Sequence, residues 1–242
     1  VVTWRDDSQQ GGDSSGGAIK AQIFDAAGNP VGGEILINSA TASDQQDPAV
    51  TATADGGFVV VWVDSSGTGG DSSASSIKAR IFNSDGTPVA DEFLVNTATD
   101  NHQIQPSIAT LADGRIVISW TDESGDSGGS SHAIKAQIFS ANGVPSGGEF
   151  LVNTTTSNNQ IQPTIAALAD GGFAIAWMNG IGGTYDVRAQ VYDSAGNADG
   201  TEFIVNTSPT GGFAEPGIAG LSGGGFVVTW AAAATGDGDV YG

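Results

Sequence analysis

The residues of this chain that could do chemistry are mostly acidic and lie in loops rich in glycine and serine. Ca²⁺ takes about six to eight oxygen ligands, and a glycine-rich backbone can wrap around the ion. The sequence therefore predicts calcium as a cofactor, although charge that merely keeps a surface soluble is the competing interpretation. No loop has the spacing of an EF-hand. The candidate metal ligands are Asp6, Asp7, Asp13, Asp64, Asp71, Asp122, Glu123, Asp126, Asp237 and Asp239.

Residues that usually carry catalysis are few. His102 and His132 lie in polar loops at different repeat positions, and the chain has no phosphate-binding loop. Asp122 and Glu123 have the chemistry of a glycosidase pair, but nothing in the sequence singles them out. From these observations we expect no catalytic residues and no enzyme, with a polysaccharide-active enzyme as a remote alternative.

Three glutamines recur at one repeat position, three residues before a proline. They are Gln45, Gln103 and Gln160. Polar side chains repeated in phase could line a ligand groove, so these residues are our candidate ligand-binding set. Phe213 takes the same position in the last unit, which weakens the pattern.

The composition excludes several classes of partner. The chain has 7 Lys and Arg against 27 Asp and Glu, a formal net charge of −20. Nucleic acids and anionic membranes both need a basic face, so neither is expected as a partner. Cysteine is absent, which removes disulfides and thiolate metal sites. No apolar stretch approaches the roughly 20 residues of a membrane helix.

The elements that position these residues form a tandem repeat. Trp4, Trp62, Trp120, Trp177 and Trp230 each close an apolar segment, at spacings of 58, 58, 57 and 53 residues. A fixed period of this size indicates stacked supersecondary units. All of the length variation falls between each tryptophan and the next strand, as expected for a surface loop.

Each unit has the pattern of four short antiparallel strands. Asp-Gly and Asn-Gly pairs mark the hairpin turns, and the continuous apolar run before each tryptophan indicates a strand that is buried on both faces. Small residues in the first strand and polar residues in the last suit a β-propeller blade. We predict an all-β, propeller-like array of four-stranded repeats, with a β-solenoid or another repeat array as the alternative.

Charged and aromatic residues also follow the repeat. Folding the third and fourth strands into a hairpin brings four basic residues within about one position of four glutamates, which predicts a repeated surface ion pair worth under about 1 kcal/mol. The tryptophans are expected in the core rather than at sugar-binding surfaces. The paired positions are Lys20, Lys78, Lys135 and Arg188 with Glu34, Glu92, Glu149 and Glu202.

The units divide the chain into one continuous array, 1–242, with no linker. The boundaries are 1–47 (partial), 48–105, 106–162, 163–215 and 216–242 (partial). Both partial units contain the tryptophan strand, so closure as four blades would duplicate it. We expect a piece of a longer chain, ends that pair with another copy, or five incomplete blades in one body.

The repeat resembles those of very large secreted proteins of Gram-negative bacteria, which are grouped with calcium-binding RTX-type exoproteins and adhesins. The similarity lies in Ala-Gln-Ile-Phe, Gly-Gly-Glu-Phe-Leu-Val-Asn-Thr, Gln-x-x-Pro and Ala-Asp-Gly-Gly-Phe-x-x-x-Trp, is best over residues 134–177 and covers essentially the whole chain. The tandem RTX nonapeptide is absent. The resemblance implies an extracellular location, with calcium and surface attachment.

Together these observations predict a non-catalytic extracellular repeat module, acting as a structural or adhesive segment of a larger surface or secreted protein. Glycans or a cell-surface polymer, flanking repeats of a longer chain and further copies of this chain are the expected partners. A lectin-like propeller that binds carbohydrate is the second hypothesis, because tryptophan faces could stack on sugars.

Overall fold

The protein is built from short antiparallel strands and tight turns. A computed structural model describes residues 1–13, 15–125, 131–181, 184–207, 210–211, 215–232 and 239–241. The described residues contain no helix, and so none that could cross a membrane. The strands are β1 (Val2–Asp6), β2 (Ala18–Phe24), β3 (Pro30–Leu36), β4 (Gln45–Ala52), β5 (Phe58–Asp64), β6 (Ser76–Phe82), β7 (Phe93–Leu94), β8 (Gln103–Thr110), β9 (Ile116–Asp122), β10 (Ala133–Phe139), β11 (Phe150–Leu151), β12 (Asn159–Ala167), β13 (Phe173–Ile181), β14 (Thr184–Tyr192), β15 (Ala198–Ile204), β16 (Thr210–Gly211), β17 (Gly217–Gly220), β18 (Phe226–Ala232) and β19 (Asp239–Tyr241).

These strands form five sheets that follow the sequence repeat. Blade 1 is β1–β2–β3, blade 2 is β4–β5–β6–β7, and blade 3 is β8–β9–β10–β11. Blade 4 is β12–β13–β14–β15, with β16 added beside β14, and blade 5 is β17–β18–β19. Every strand pairing is antiparallel, and every pair except β14–β16 joins strands that are consecutive in the chain. The predicted all-β, propeller-like array is confirmed, in the form of five blades.

The hydrophobic core lies between the blades. Every residue of β5 is buried, and its side chains alternate between two neighbours. Val60 and Trp62 pack toward blade 1 with Ile19, whereas Val59 and Val61 pack toward blade 3. Trp62, Trp120 and Trp177 have no exposed surface, which confirms their predicted place in the core.

The predicted ion pair is present in each of the first four blades, but the prediction of a surface pair was wrong. Lys78 is only 2% exposed, and its Nζ lies 3.0 Å from Asp64 Oδ2 and 2.9 Å from Glu92 Oε1. The preceding blade, which contacts Glu92 through Ser39, and the loop after β5, which contacts Lys78 through Thr68, cover this hairpin. The strand pattern alone did not show this cover. The equivalent contacts join Lys20 to Asp6 and Glu34, Lys135 to Asp122 and Glu149, and Arg188 to Glu202.

The glutamate of this set also ties each blade to the one before it. Glu92 Oε2 accepts a hydrogen bond from the backbone N–H of Ser39, at 2.8 Å. Glu202 Oε2 accepts one from the N–H of Thr154, at 2.6 Å. Burial raises the pKa of Glu202, but hydrogen bonds from Thr155 and Thr154 outweigh burial and bring the pKa down to about 2. The carboxylate is therefore held ionised at neutral pH.

Candidate functional site

The innermost strands of blades 2, 3 and 4 begin at a β-bulge beside a proline, and β17 of blade 5 begins directly after the equivalent proline, Pro216. β4, β8 and β12 each lose register with the neighbouring strand at this point, between Gln46 and Ala49 in blade 2, for example. A bulge re-aims the residue that it inserts, and bulges are common beside active sites. The residues immediately before the prolines are Asp47, Gln105, Gln162 and Glu215.

These four residues adopt a backbone conformation that is unusual for their type. Their φ angles are 52° for Asp47, 56° for Gln105, 53° for Gln162 and 25° for Glu215. Positive φ is uncommon outside glycine, and a residue before proline normally prefers extended backbone. Such conformations persist only where the surrounding structure holds them, and they cluster at ligand-binding and active sites.

The four residues converge on one cavity, which we call the axial pocket. The inner strands β4, β8, β12 and β17 pack side by side in chain order, so equivalent positions of four blades meet there. The cavity has a volume of about 410 Å³. Its lining residues are Asp47, Gln105, Pro106, Ser107, Gln162, Pro163, Thr164, Glu215 and Pro216.

The polar lining of the axial pocket consists of two acidic residues and two amide residues, together with two hydroxyl residues. Asp47 and Glu215, from blades 2 and 5, are exposed. Gln105 is held in place, since its Oε1 accepts hydrogen bonds from Thr121 Oγ1 at 2.9 Å and from the N–H of Gln162 at 3.1 Å. The Oε1 of Gln162 is buried without a hydrogen-bond partner among the described residues. The pocket thus combines two accessible carboxylates with two positioned amides.

The axial pocket lies at the end of the propeller that carries the long acidic loops. Gln45 at the start of β4 is paired with Asp64 at the end of β5, and Gln103 is paired with Asp122 in the same way. The bulge two residues after Gln45 or Gln103 is therefore near the point where the second strand enters its loop. Loops of variable length surround the pocket, as is common for binding sites on a rigid scaffold.

Several of the predicted calcium ligands have protein partners instead. Asp6, Asp64 and Asp122 contact the buried lysines described above. Asp13 and Asp71 are buried and accept hydrogen bonds of 3.0 Å from the side chains of Asn38 and Asn96. These aspartates stabilise the loops that contain them.

The remaining candidate ligands are dispersed. Asp7 pairs with Arg5 at 2.8 Å, and Glu123 pairs with His132 at 3.0 Å. Asp126 and Asp237 lie outside the described residues, and Asp239 begins β19. Within the described part of the chain, no three His, Cys, Asp or Glu side chains are grouped so that they could hold a metal ion. Calcium binding stays a prediction.

The three candidate glutamines are in the interior. Gln45, Gln103 and Gln160 have no exposed surface, and each Oε1 accepts a hydrogen bond from the asparagine that ends the preceding blade. The Oδ1 of that asparagine also accepts a hydrogen bond from a backbone N–H of the third strand of its repeat, as Asn38 does from Ile19 at 2.8 Å. The structure therefore brings none of the three glutamines to the axial pocket.

Asp47 and Glu215 were missed by the sequence analysis, although a signal was present. The position before each repeat proline holds only acids or amides, namely Asp47, Gln105, Gln162 and Glu215. A polar residue kept directly before the proline in all four units was therefore the available signal. Sequence spacing could not show that the four positions meet at one axis.

The sequence itself matches no protein family model and no curated protein. Solved structures share the fold. An α-L-arabinanase from Penicillium chrysogenum, complexed with arabinobiose, aligns with a TM-score of 0.59 at 13% identity, over 93% of this chain and 68% of the arabinanase. An α-L-arabinofuranosidase from Lactobacillus brevis aligns with a TM-score of 0.55 at 11% identity, over 89% of this chain and 76% of that enzyme. An endo-arabinase from Bacteroides thetaiotaomicron VPI-5482 aligns with a TM-score of 0.50 at 15% identity, over 81% of this chain and 73% of that enzyme.

These comparisons overturn two of the predictions. The expectation of a non-catalytic structural or adhesive module was wrong, and so was the expectation that the chain is not an enzyme, because the three solved structures described above are an arabinanase, an arabinofuranosidase and an endo-arabinase. The repeated strand pattern describes the scaffold, and the function of a protein must be argued from its site and not from its scaffold. The resemblance to RTX-type proteins and the extracellular location stay predictions.

Proposed function

We propose that this protein binds a glycan in the axial pocket and hydrolyses a glycosidic bond there, with Asp47 and Glu215 as the catalytic pair. The observation that carries the proposal is the presence of two accessible carboxylates in one cavity, each held at positive φ directly before a proline at the head of an inner strand. Glycoside hydrolysis requires two such groups on either side of the scissile bond.

The chemistry divides between the two carboxyl groups. One, protonated, gives its proton to the oxygen of the leaving sugar. The other, ionised, activates a water molecule or attacks the anomeric carbon directly. The amide N–H groups of Gln105 and Gln162 are donors for sugar hydroxyls, and the contacts that Gln105 makes to Thr121 and Gln162 hold it in place before substrate arrives.

The charge of the pocket favours a neutral sugar. Its lining contains two carboxylates and no Lys or Arg. A uronic acid or a sulfated sugar would meet like charges here without a basic partner, and the net charge of the chain, −20, adds to the repulsion. The arabinose-containing ligand of the Penicillium enzyme is neutral, and arabinan is therefore a natural first substrate to test.

The solved structures support the proposal only as a precedent. Arabinanases and an arabinofuranosidase use this fold at 11–15% identity, so the fold alone carries no substrate to this chain. What supports hydrolysis in this protein is its own pair of axial acids.

The test is release of reducing ends from a panel of neutral polysaccharides, including arabinan, by the wild-type protein and by Asp47→Asn and Glu215→Gln. Each substitution keeps the shape of the side chain and removes its acid–base function, so we expect losses of about 10²-fold or more. Asp85→Asn is the matched control, because Asp85 is an exposed turn residue bonded to Thr87 and is not part of the pocket.

Two outcomes would contradict this function. Unchanged hydrolysis in both pocket variants would place the chemistry elsewhere. Binding of an oligosaccharide by the wild-type protein, with no cleavage of any member of the panel, would leave a lectin-like pocket in place of a hydrolytic one.

A further inference from the structure

A second set of reactive side chains lies on blade 3, outside the axial pocket. Glu123 directly follows β9 and His132 directly precedes β10, and these strands are paired so that Asp122 lies opposite Ala133. The next residues outward, Glu123 and His132, therefore meet across the start of the loop. His132 Nε2 lies 3.0 Å from Glu123 Oε1, and His132 Nδ1 lies 2.8 Å from the Oγ of Ser131.

This order of contacts is that of a nucleophile, a base and an orienting acid. When His132 donates Nε2–H to the Glu123 carboxylate, its Nδ1 is an acceptor and faces the Ser131 hydroxyl. The same logic operates in Ser-His-Asp and Ser-His-Glu hydrolases, which are recognised by geometry and not by sequence order. Blade 4 lies beside this set: the Ser131 hydroxyl donates to Asn159 Oδ1 at 3.1 Å, and Gln160 N–H donates to the backbone oxygen of His132 at 3.3 Å. Catalysis requires the single Ser131 hydroxyl proton to turn from Asn159 to His132 Nδ1.

We propose that Ser131, His132 and Glu123 form a hydrolytic site for small acyl esters, separate from the axial pocket. Ser131 is exposed, and the side chains of His132 and Glu123 are 26% and 23% exposed, so an ester can reach the hydroxyl. The site lies at the loop end of the propeller, as does the axial pocket. An acyl group carried on a glycan is therefore within the class of esters that this face would meet.

The reaction balances with water as the only co-reactant. Ser131 Oγ bonds to the ester carbonyl carbon while its proton passes to His132 Nδ1. The tetrahedral intermediate collapses, the bond to the leaving alkoxide breaks, and that oxygen takes the proton from Nδ1. Water then attacks the acyl-serine, giving one proton to Nδ1, and the carboxylic acid leaves as Ser131 Oγ recovers that proton. Glu123 remains ionised throughout and stabilises the protonated imidazole.

The chain contains an internal control for this proposal. Ser75 and His102 form a second serine–histidine contact, with Ser75 Oγ 3.1 Å from His102 Nδ1. Ser75 is buried and also bonds to the backbone oxygen of Gln103 at 3.2 Å. Across the described ranges, no carboxylate lies within 4.0 Å of a His102 nitrogen, so this pair lacks both the orienting acid and access for an ester. It is a structural contact between blades 2 and 3.

The experiment combines kinetics with covalent labelling. The wild-type protein is expected to hydrolyse p-nitrophenyl acetate above the buffer rate and to be labelled by a fluorophosphonate at Ser131, located by peptide mass spectrometry. Ser131→Ala should lose about 10²-fold or more of the rate and all of the label, and Glu123→Gln should lose part of the rate with the label slowed. Ser75→Ala should keep both.

Melting curves confirm that the variants fold, and Ser131→Ala should fold normally because its side chain is exposed. Absence of any label on the folded wild-type protein would overturn the proposal and leave a purely structural hydrogen-bond set. Label or rate retained in Ser131→Ala would also overturn it. Neither result bears on glycan hydrolysis, which is measured with a different substrate and with variants of Asp47 and Glu215.

Discussion

Two polar systems repeat around this propeller, and they differ in how strictly the repeat is kept. The buried charge sets place a lysine or arginine against a glutamate in each of the first four blades, although the glutamate of blade 1, Glu34, is 57% exposed. The axial positions read acid, amide, amide, acid from blade 2 to blade 5. Uniform positions are those that every blade needs for packing, whereas positions that vary on a uniform backbone are available for recognition and chemistry.

The largest expected effect comes from breaking a uniform position. Lys78→Met leaves Asp64 and Glu92 buried without their cation, and loss of one partner from a buried ion pair costs about 3–5 kcal/mol of unfolding free energy. Urea unfolding of the purified protein measures this change.

Lys20→Met is the matched control for that substitution. Lys20 makes the same contacts in blade 1, but the side chain of its partner Glu34 is 57% exposed and can be hydrated when the lysine is lost. We expect a clearly smaller loss of stability. Equal losses in the two variants would show that burial of the glutamate does not control the effect.

The next effect is a dependence of stability on pH. The folded-state pKa of Glu202 is about 2, below its ordinary value of 4.5, so the stabilisation is complete above about pH 5 and is lost as the pH falls toward 2. Burial opposes this shift, while the hydroxyl and N–H donors of Thr155 and Thr154 outweigh it.

Urea unfolding of the wild-type protein and of Glu202→Gln, at pH 6 and at pH 3, checks this prediction. The wild-type protein should lose more stability than the variant between these two pH values. Thr154→Val, which removes one hydroxyl donor, should have an intermediate dependence. A wild-type protein with the same pH dependence as Glu202→Gln would contradict the assignment.

The two polar systems also show which parts of the fold and of the pocket could be predicted from the sequence. The tryptophan spacing and the hairpin turns were sufficient to predict the blades, because these features are local and recur in phase. The same alternation correctly predicted that Lys78 contacts Glu92. It could not show that their surroundings are buried, because the covering loop and the neighbouring blade are distant in sequence. Asp47 and Glu215 are 168 positions apart, and only the packing of blades 2 to 5 around an axis brings them into one pocket.

The smallest expected effect has the opposite sign and comes from the varying system. Gln162 has a buried Oε1 without a hydrogen-bond partner among the described residues, and an unsatisfied buried acceptor costs about 1–3 kcal/mol. Gln162→Met keeps the length of the side chain and removes the acceptor. Part of that cost should be recovered, which raises the unfolding free energy by up to about 1 kcal/mol, whereas binding of a neutral oligosaccharide should weaken.

Urea unfolding and calorimetric titration of the same Gln162→Met sample test both parts. A gain in stability with weaker binding would mean that the axial position is kept for recognition at some expense to the fold, as strained functional positions often are. If stability falls instead, Gln162 belongs with the buried charge sets as a packing residue, and the contrast between the uniform and the varying positions would then rest on Asp47 and Glu215 alone.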